Sequence, residues 1–372
     1  MTNTTSTSRY ANEHHIHRFV KIWLITGLIM IFFQIVIGGV TRLTGSGLSI
    51  TKWDVVHGSV PPLTTAAWEA EFELYKQTPQ YQKINAGMSL SEFKFIYFWE
   101  FFHRFWARLM GLVFVFPFCW FLWRRMLSRR LVRMLVIVVA LAGLEGFFGW
   151  IMVASGLIQR PWVNAYNLTL HLSTALVIFS FLLWTTFIAY RPVRPVWTDS
   201  GLRRLGWVLI GVAFVQIALG AMMSGSKAGL FFPTWPDQGG TFLPDVLLVA
   251  DHWRVENFLN YDTNPFMPAL IQFLHRNTAY LLTLLVVYFV WRTRNLRLTP
   301  AMQWGNRAML LTLAVQVLLG ITTLINCRGS IPVLLGVLHQ AGAVLLLMAL
   351  LYVCYQMKNR DSGFVSHDDT TT

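Results

Sequence analysis

Residues 19–40 read FVKIWLITGLIMIFFQIVIGGV, and this run decides the fold, because it carries one charge, Lys21, at its very start. About 20 consecutive apolar residues cross the hydrocarbon of a bilayer as a helix. Comparable runs follow at 103–123, 131–153, 167–190, 205–224, 271–291, 306–325 and 332–357. The sequence therefore predicts an all-α integral membrane protein with eight transmembrane helices. A chain that is 55% hydrophobic and 13% charged carries more apolar surface than a soluble fold of 372 residues buries. The first run has full spanning length and no convincing small-residue cleavage site behind it, so it reads as a span and not as a signal peptide.

The formal charge of +13 could suggest nucleic acid, but the basic residues lie in short runs between apolar stretches and form no RNA-binding motif. Membrane topology accounts for them instead. With a cytoplasmic N-terminus the inner segments hold Arg9, Arg18, Lys21, Arg124, Arg125, Arg129, Arg130, Arg133, Arg191, Arg194, Arg203, Arg204, Arg292, Arg294, Arg297, Arg307, Lys358 and Arg360. Their only acids are Glu13, Asp199, Asp361, Asp368 and Asp369, so the whole +13 falls on one side. Both termini are expected in the cytoplasm. The outer loops 54–95 and 225–270 are long, rich in Pro, Trp and Gly, and expected to cap the outer helix ends. Cys119, Cys327 and Cys354 are too scattered for a metal motif or a disulfide framework.

The chain repeats itself. Gln34-Ile-Val-Ile-Gly38 returns as Gln216-Ile-Ala-Leu-Gly220, and at the same offset Gly47-Leu48 and Trp53 match Gly229-Leu230 and Trp235. His103-Arg104 parallels His275-Arg276, Gly149 parallels Gly320, and His171 parallels His339. The expected organisation is a tail (1–18), a four-helix half (19–190), a second four-helix half (205–357) and a second tail (358–372). Halves with an even number of spans share one orientation, so a pseudo-two-fold axis along the membrane normal is expected.

Of ten histidines, His14, His15, His17, His57, His252 and His367 lie in termini or loops. His103, His171, His275 and His339 fall one to each even-numbered span, near its outer end. A lone intramembrane histidine is more often a packing partner than a ligand, but two facing imidazoles can fill both axial positions of a haem iron inside a helical bundle. One pair per half gives two sites. Zinc is the competing metal, and neither pair has the further ligands of a closed tetrahedral site. Haem propionates need cations, and Arg42, Arg104, Arg108, Arg276 and Arg328 lie near the outer span ends; Arg104 and Arg276 directly follow histidines. Snorkelling to the interface is the bland alternative.

Two acids break the repeat. Glu100 shares a helical face with His103, where the second half has Gln272, which suggests that the first half does chemistry and the second serves it; the alternative is a solvated first-turn residue. Glu145 lies inside the third span, with Gln316 as its counterpart, and an interhelical hydrogen bond is its simplest explanation.

On these residues the chain resembles haem A synthase of bacterial and mitochondrial inner membranes, from about 19 to 357. The most specific pieces are Gly38-Gly-Val-Thr-Arg-Leu-Thr-Gly-Ser-Gly-Leu-Ser49, Trp99-Glu-Phe-Phe-His-Arg104, Met152-Val-Ala-Ser-Gly-Leu157, Pro233-Thr-Trp-Pro236 and the four histidines. The resemblance implies oxidation of the C8 methyl of haem O to a formyl group through a hydroxymethyl intermediate, giving haem A for cytochrome oxidase. It assigns His275 and His339 to a haem b cofactor, His103 and His171 to the substrate haem, and Glu100 to activity; Arg104 and Arg276, which directly follow histidines, are the cofactor-binding cations expected from the sequence itself. Residues 54–95 contain no cysteine, which points to the branch without a loop cysteine pair.

A short polar N-terminus without an arginine-rich amphipathic pattern favours the bacterial inner membrane. Expected partners are haem O and haem A, membrane lipid, the haem O-producing farnesyltransferase, cytochrome oxidase assembly factors and a ferredoxin-like electron donor. Homo-oligomerisation is left open. The rival readings are a dihaem b-type electron-transfer protein, a transporter with proton-handling histidines, and a structural assembly factor.

Overall fold

The computed structural model describes residues 16–51, 60–156, 160–190, 196–198 and 200–359. Residues 1–15 and 360–372 of the tails, Trp53, His57, Leu157, Arg191, Arg194 and Asp199 lie outside them. Eight helices are long and apolar enough to cross a membrane: α1 (Arg18–Leu43), α2 (Leu90–Trp123), α3 (Arg129–Gly156), α4 (Ala165–Tyr190), α5 (Ser200–Gly225), α6 (Phe266–Thr293), α7 (Pro300–Ile325) and α8 (Val333–Gln356). The starts follow local chemistry. Ser89 and Glu92 form a reciprocal capping box on α2, Asn264 accepts from the N–H of Phe266 at 2.9 Å, and Thr299 caps α7 ahead of Pro300 at its first turn.

All eight expected spans are present, but α2 begins at Leu90, well before the expected 103. Its first turns rise out of the apolar region and pack against the helix Thr65–Lys76, where Phe72, Tyr75, Phe93, Ile96 and Tyr97 form their own buried cluster. His103 therefore stands well inside a helix. The second long loop is anchored in the same way, with Leu247 and Tyr261 buried against Phe266, Met267, Ala269 and Ile271.

The helices α1, α4, α5 and α8 form the centre, each touching its neighbours, and α4 also touches α8. The other four are peripheral: α2 lies on α1, α3 on α4, α6 on α5 and α7 on α8. Close approaches are made at glycines. A Cβ on Gly225 would come within 2.6 Å of the Ala165 backbone, and one on Gly206 within 2.8 Å of Cys354 Sγ. The only β structure among the described residues is a parallel pair, β1 (Val196–Thr198) with β2 (Met357–Asn359), which joins the α4–α5 connection to the end of α8. An all-α reading does not foresee this ladder, which is too short to carry a pattern.

The long loops lie at one face of the bundle and the ends of α1 and α8 that lead to the termini at the other. The main apolar cluster, including Trp23, Leu24, Phe118, Leu135, Leu182, Leu209, Val286, Phe289, Met309 and Leu347, fills the terminal-face half. Toward the loop face it stops. No side chain of α2 is buried between Glu100 and Phe114, none of α4 between Ala165 and Leu176, and none of α6 between Arg276 and Leu282. Each interval exceeds one turn, so it includes inward-facing positions, and these are only partly shielded by the protein's own side chains.

Candidate functional site

The four histidines stand in the loop-face half, one on each of α2, α4, α6 and α8. The preceding odd-numbered helix meets each of them with a polar residue and, one turn on, a glycine. On α1 Gln34 Nε2 lies 2.9 Å from His103 Nε2, and a Cβ on Gly38 would be 3.2 Å from the same nitrogen. On α5 Gln216 Nε2 lies 3.2 Å from His275 Nε2, and a Cβ on Gly220 would be 3.2 Å from His275 Cε1. On α3 Glu145 Oε1 lies 3.0 Å from His171 Nδ1, with Gly149 at 3.1 Å by the same measure. On α7 Gln316 donates to the His339 carbonyl at 2.8 Å, and a Cβ on Gly320 would come within 2.8 Å of His339 Cε1. Residues four apart share a helix face, so each pair supplies a polar contact and clearance for an imidazole.

The rings of His275 and His339 are 6.5 Å apart, centroid to centroid, and inclined at 76°. Two imidazole nitrogens each about 2 Å from one metal ion put their ring centroids roughly 6 Å apart. The spacing thus suits axial ligands on opposite sides of one iron. The Nδ1 atoms of both rings are buried without a partner, which a ligand or an ordered neighbour would normally satisfy. Among the described residues no group of three or more His, Cys, Asp and Glu side chains could hold a metal ion, so neither pair gains the extra ligands a closed zinc site needs. The residues present fit a haem.

Glu100 is 2% exposed. Its Oε2 accepts from the Ser49 N–H at 2.6 Å, the Ser49 hydroxyl at 2.7 Å and the Ile50 N–H at 2.8 Å, while Oε1 pairs with Arg104 at 2.5 Å. The alternative of a solvated first-turn residue is therefore wrong, because α2 starts three turns earlier and the 46–50 loop folds over the carboxylate. Instead of turning to His103, Glu100 gathers donors from that loop and charge from Arg104.

The second half answers with opposite polarity. Gln272 is fully buried and donates to the Phe232 carbonyl at 2.7 Å. Arg276 is buried as well, and its guanidinium donates to the carbonyls of Thr234, Pro236 and Asp237. Those carbonyls belong to the Pro233-Thr-Trp-Pro236 segment and the residue after it, so Arg276 ties that segment to α6.

Arg42 is placed differently from expectation. Its Nη2 donates to the Ser224 carbonyl at 2.7 Å and that of Gly225 at 3.3 Å, so it caps the end of α5 across the centre of the molecule. Gln34 and Gln216 were visible as repeat landmarks but not as histidine partners. The signal was their spacing of four from a glycine on the helix preceding each histidine.

A family model described as cytochrome oxidase assembly protein, COX15-CtaA, matches residues 21–351. The chain is 39% identical over 345 residues to the heme A synthase of Nitrosomonas eutropha, covering 92% of this chain and 94% of that protein. It is 41% identical over 331 residues to the one from Parvibaculum lavamentivorans, covering 88% and 91%. With the one from Flavobacterium johnsoniae it shares 36% over 344 residues, covering 92% and 98%.

Proposed function

The chain belongs to the COX15-CtaA family of cytochrome oxidase assembly proteins, and on that premise we infer that it is a haem A synthase, a multi-pass membrane enzyme that oxidises haem O to haem A. The observation that carries this reading onto its own residues is the facing pair His275 and His339, with ring centroids 6.5 Å apart and a buried, unpartnered Nδ1 on each ring. The relatives share a synthase name, which favours this over a dihaem electron-transfer protein.

The finer assignment is that His275 and His339 hold a resident haem b, with Arg276 beside them, while His103 and His171 receive the substrate haem. Bound there, haem b supplies one-electron redox chemistry. Oxidation of the C8 methyl group to formyl removes four electrons and four protons net of one added water-level oxygen, in two two-electron steps with hydroxymethyl between them, so an external electron acceptor and an oxygen source complete the reaction. The residues supply the setting. Glu100 is fixed one turn before His103 on α2 by the donors of Ser49 and Ile50, so its carboxyl group stays aimed at one place while the methyl carbon is oxidised. Arg104 pairs with the other carboxylate oxygen, and Glu100 itself ties down the 46–50 loop. Gln34 and Gln216 fix the planes of His103 and His275.

The same positions support a tandem arrangement of two four-helix halves, 19–190 and 205–357, about an axis along the membrane normal. Gln34·His103 repeats as Gln216·His275, and the loop contact of Glu100 repeats, with polarity reversed, at Gln272. The charge distribution supports cytoplasmic termini, and the short polar N-terminus supports a bacterial inner membrane. The haem O-producing farnesyltransferase, oxidase assembly factors and a ferredoxin-like donor remain the partners this chemistry calls for.

The test is to purify the protein from cells making haem O, extract the haems in acid and separate them with mass detection. Haem A or its hydroxylated precursor beside haem B is expected. Two haem B per chain and nothing else would point to electron transfer alone.

A further inference from the structure

Three of the four polar residues that meet the histidines are glutamines, and the fourth, Glu145, is an acid. On α7 the equivalent Gln316 bonds the His339 backbone and leaves His339 Nδ1 without a partner. On α3 Glu145 instead brings Oε1 to 3.0 Å from the ring nitrogen Nδ1 of His171, an ion-pair contact that stops short of a hydrogen bond, so that this Nδ1, like that of His339, has no hydrogen-bond partner. Its second oxygen is buried with no partner, and α3 is a peripheral helix packed chiefly on α4. A carboxylate in such a place is costly unless something holds it, and the imidazole is what it meets. One turn on, Gly149 removes the side chain that would press on the same ring.

We propose that Glu145 is the positioning residue for His171: its carboxylate stands against Nδ1, and when a small turn of the ring lets it take the Nδ1 hydrogen it holds the imidazole with Nε2 presented to the iron of the substrate haem. A carboxylate behind a ligating histidine orients it and strengthens it as a donor. His339 has no such backing, so the two halves differ in how firmly an axial ligand is held. The proposal rests on the reading of His171 as an iron ligand.

The test uses full-length protein purified from cells making haem O, with electron paramagnetic resonance of the ferric state and a redox titration. H171A marks the signal of the N-terminal half by abolishing it or turning it high-spin. E145A is expected to move the g-values of that same signal and raise its midpoint potential, leaving the other haem unchanged. E145Q should do so to a smaller extent, and it installs the amide that the fold already accepts at Gln316. Unmoved g-values and potential in both Glu145 variants, beside a signal that H171A abolishes, overturn the role of Glu145. A spectrum that H171A leaves whole overturns the ligand reading of His171 and this proposal with it.

Discussion

Ser49 gives both its backbone N–H and its hydroxyl to one carboxylate oxygen of Glu100, at 2.6 and 2.7 Å, across 51 residues of sequence. With Ile50 and Arg104 this makes four donors around two oxygens. A glutamine there must turn its NH2 group toward donors on one side or the other. E100Q is expected to lose about 1–3 kcal/mol of stability through one unsatisfied buried group, and to abolish haem A formation while haem B is retained. Thermal unfolding in detergent and acid extraction of the haems read the two effects separately.

Clearance at the histidines makes a second prediction. A Cβ at residue 320 would sit 2.8 Å from His339 Cε1, so the ring must shift. Overpacking of this kind costs about 1–3 kcal/mol, and G320A should lower haem B content by roughly tenfold in retention at limiting haem. G149A, with its contact at 3.1 Å to His171, should leave the haem B content unchanged and weaken haem O binding instead. Pyridine haemochrome spectra of the two purified variants distinguish these outcomes.

Arg276 holds three carbonyls of the 233–237 segment with one planar guanidinium. Lysine cannot reproduce that fork. R276K should loosen the second long loop, lower haem B content and expose the loop to protease. R276A, which leaves the carbonyls with no donor, should cost about 3 kcal/mol or more. Limited proteolysis, followed by mass spectrometry of the fragments, measures the loop directly.

At the centre of the molecule the obstacle is backbone. A methyl group on Gly225 would meet the Ala165 Cα at 2.6 Å, and neither atom can rotate away. G225A is expected to destabilise by about 1–3 kcal/mol, whereas G111A on α2, where a Cβ would meet nothing within 4 Å, should be neutral or slightly stabilising. Paired melting curves in one detergent check both.

Hydropathy made the eight spans legible because a bilayer leaves little choice about which residues form them. It failed at the start of α2, where Glu92, Lys94 and Glu100 interrupt the apolar run and the helix persists by packing on Phe72 and Tyr75. The Ser89–Glu92 capping box was present in the sequence to mark that start. The histidines could be singled out by their placement on even-numbered spans, and Glu100 by its spacing from His103. Their partners could not, since Gln34, Gln316 and Ser49 meet them only through tertiary contacts. Arg42 misled for the same reason: its position near a span end suited a propionate, and only the fold brings the end of α5 beneath it.

The apolar cluster of the terminal-face half draws on all eight helices without a break between the first four and the last four. The molecule should therefore melt as one cooperative unit. Whatever binds either histidine pair in the native state and not in the unfolded chain raises the melting temperature of the whole. Loading the C-terminal pair steadies the helices that present Glu100 and His103, so an enzyme lacking its resident haem would be easier to unfold at the substrate end as well.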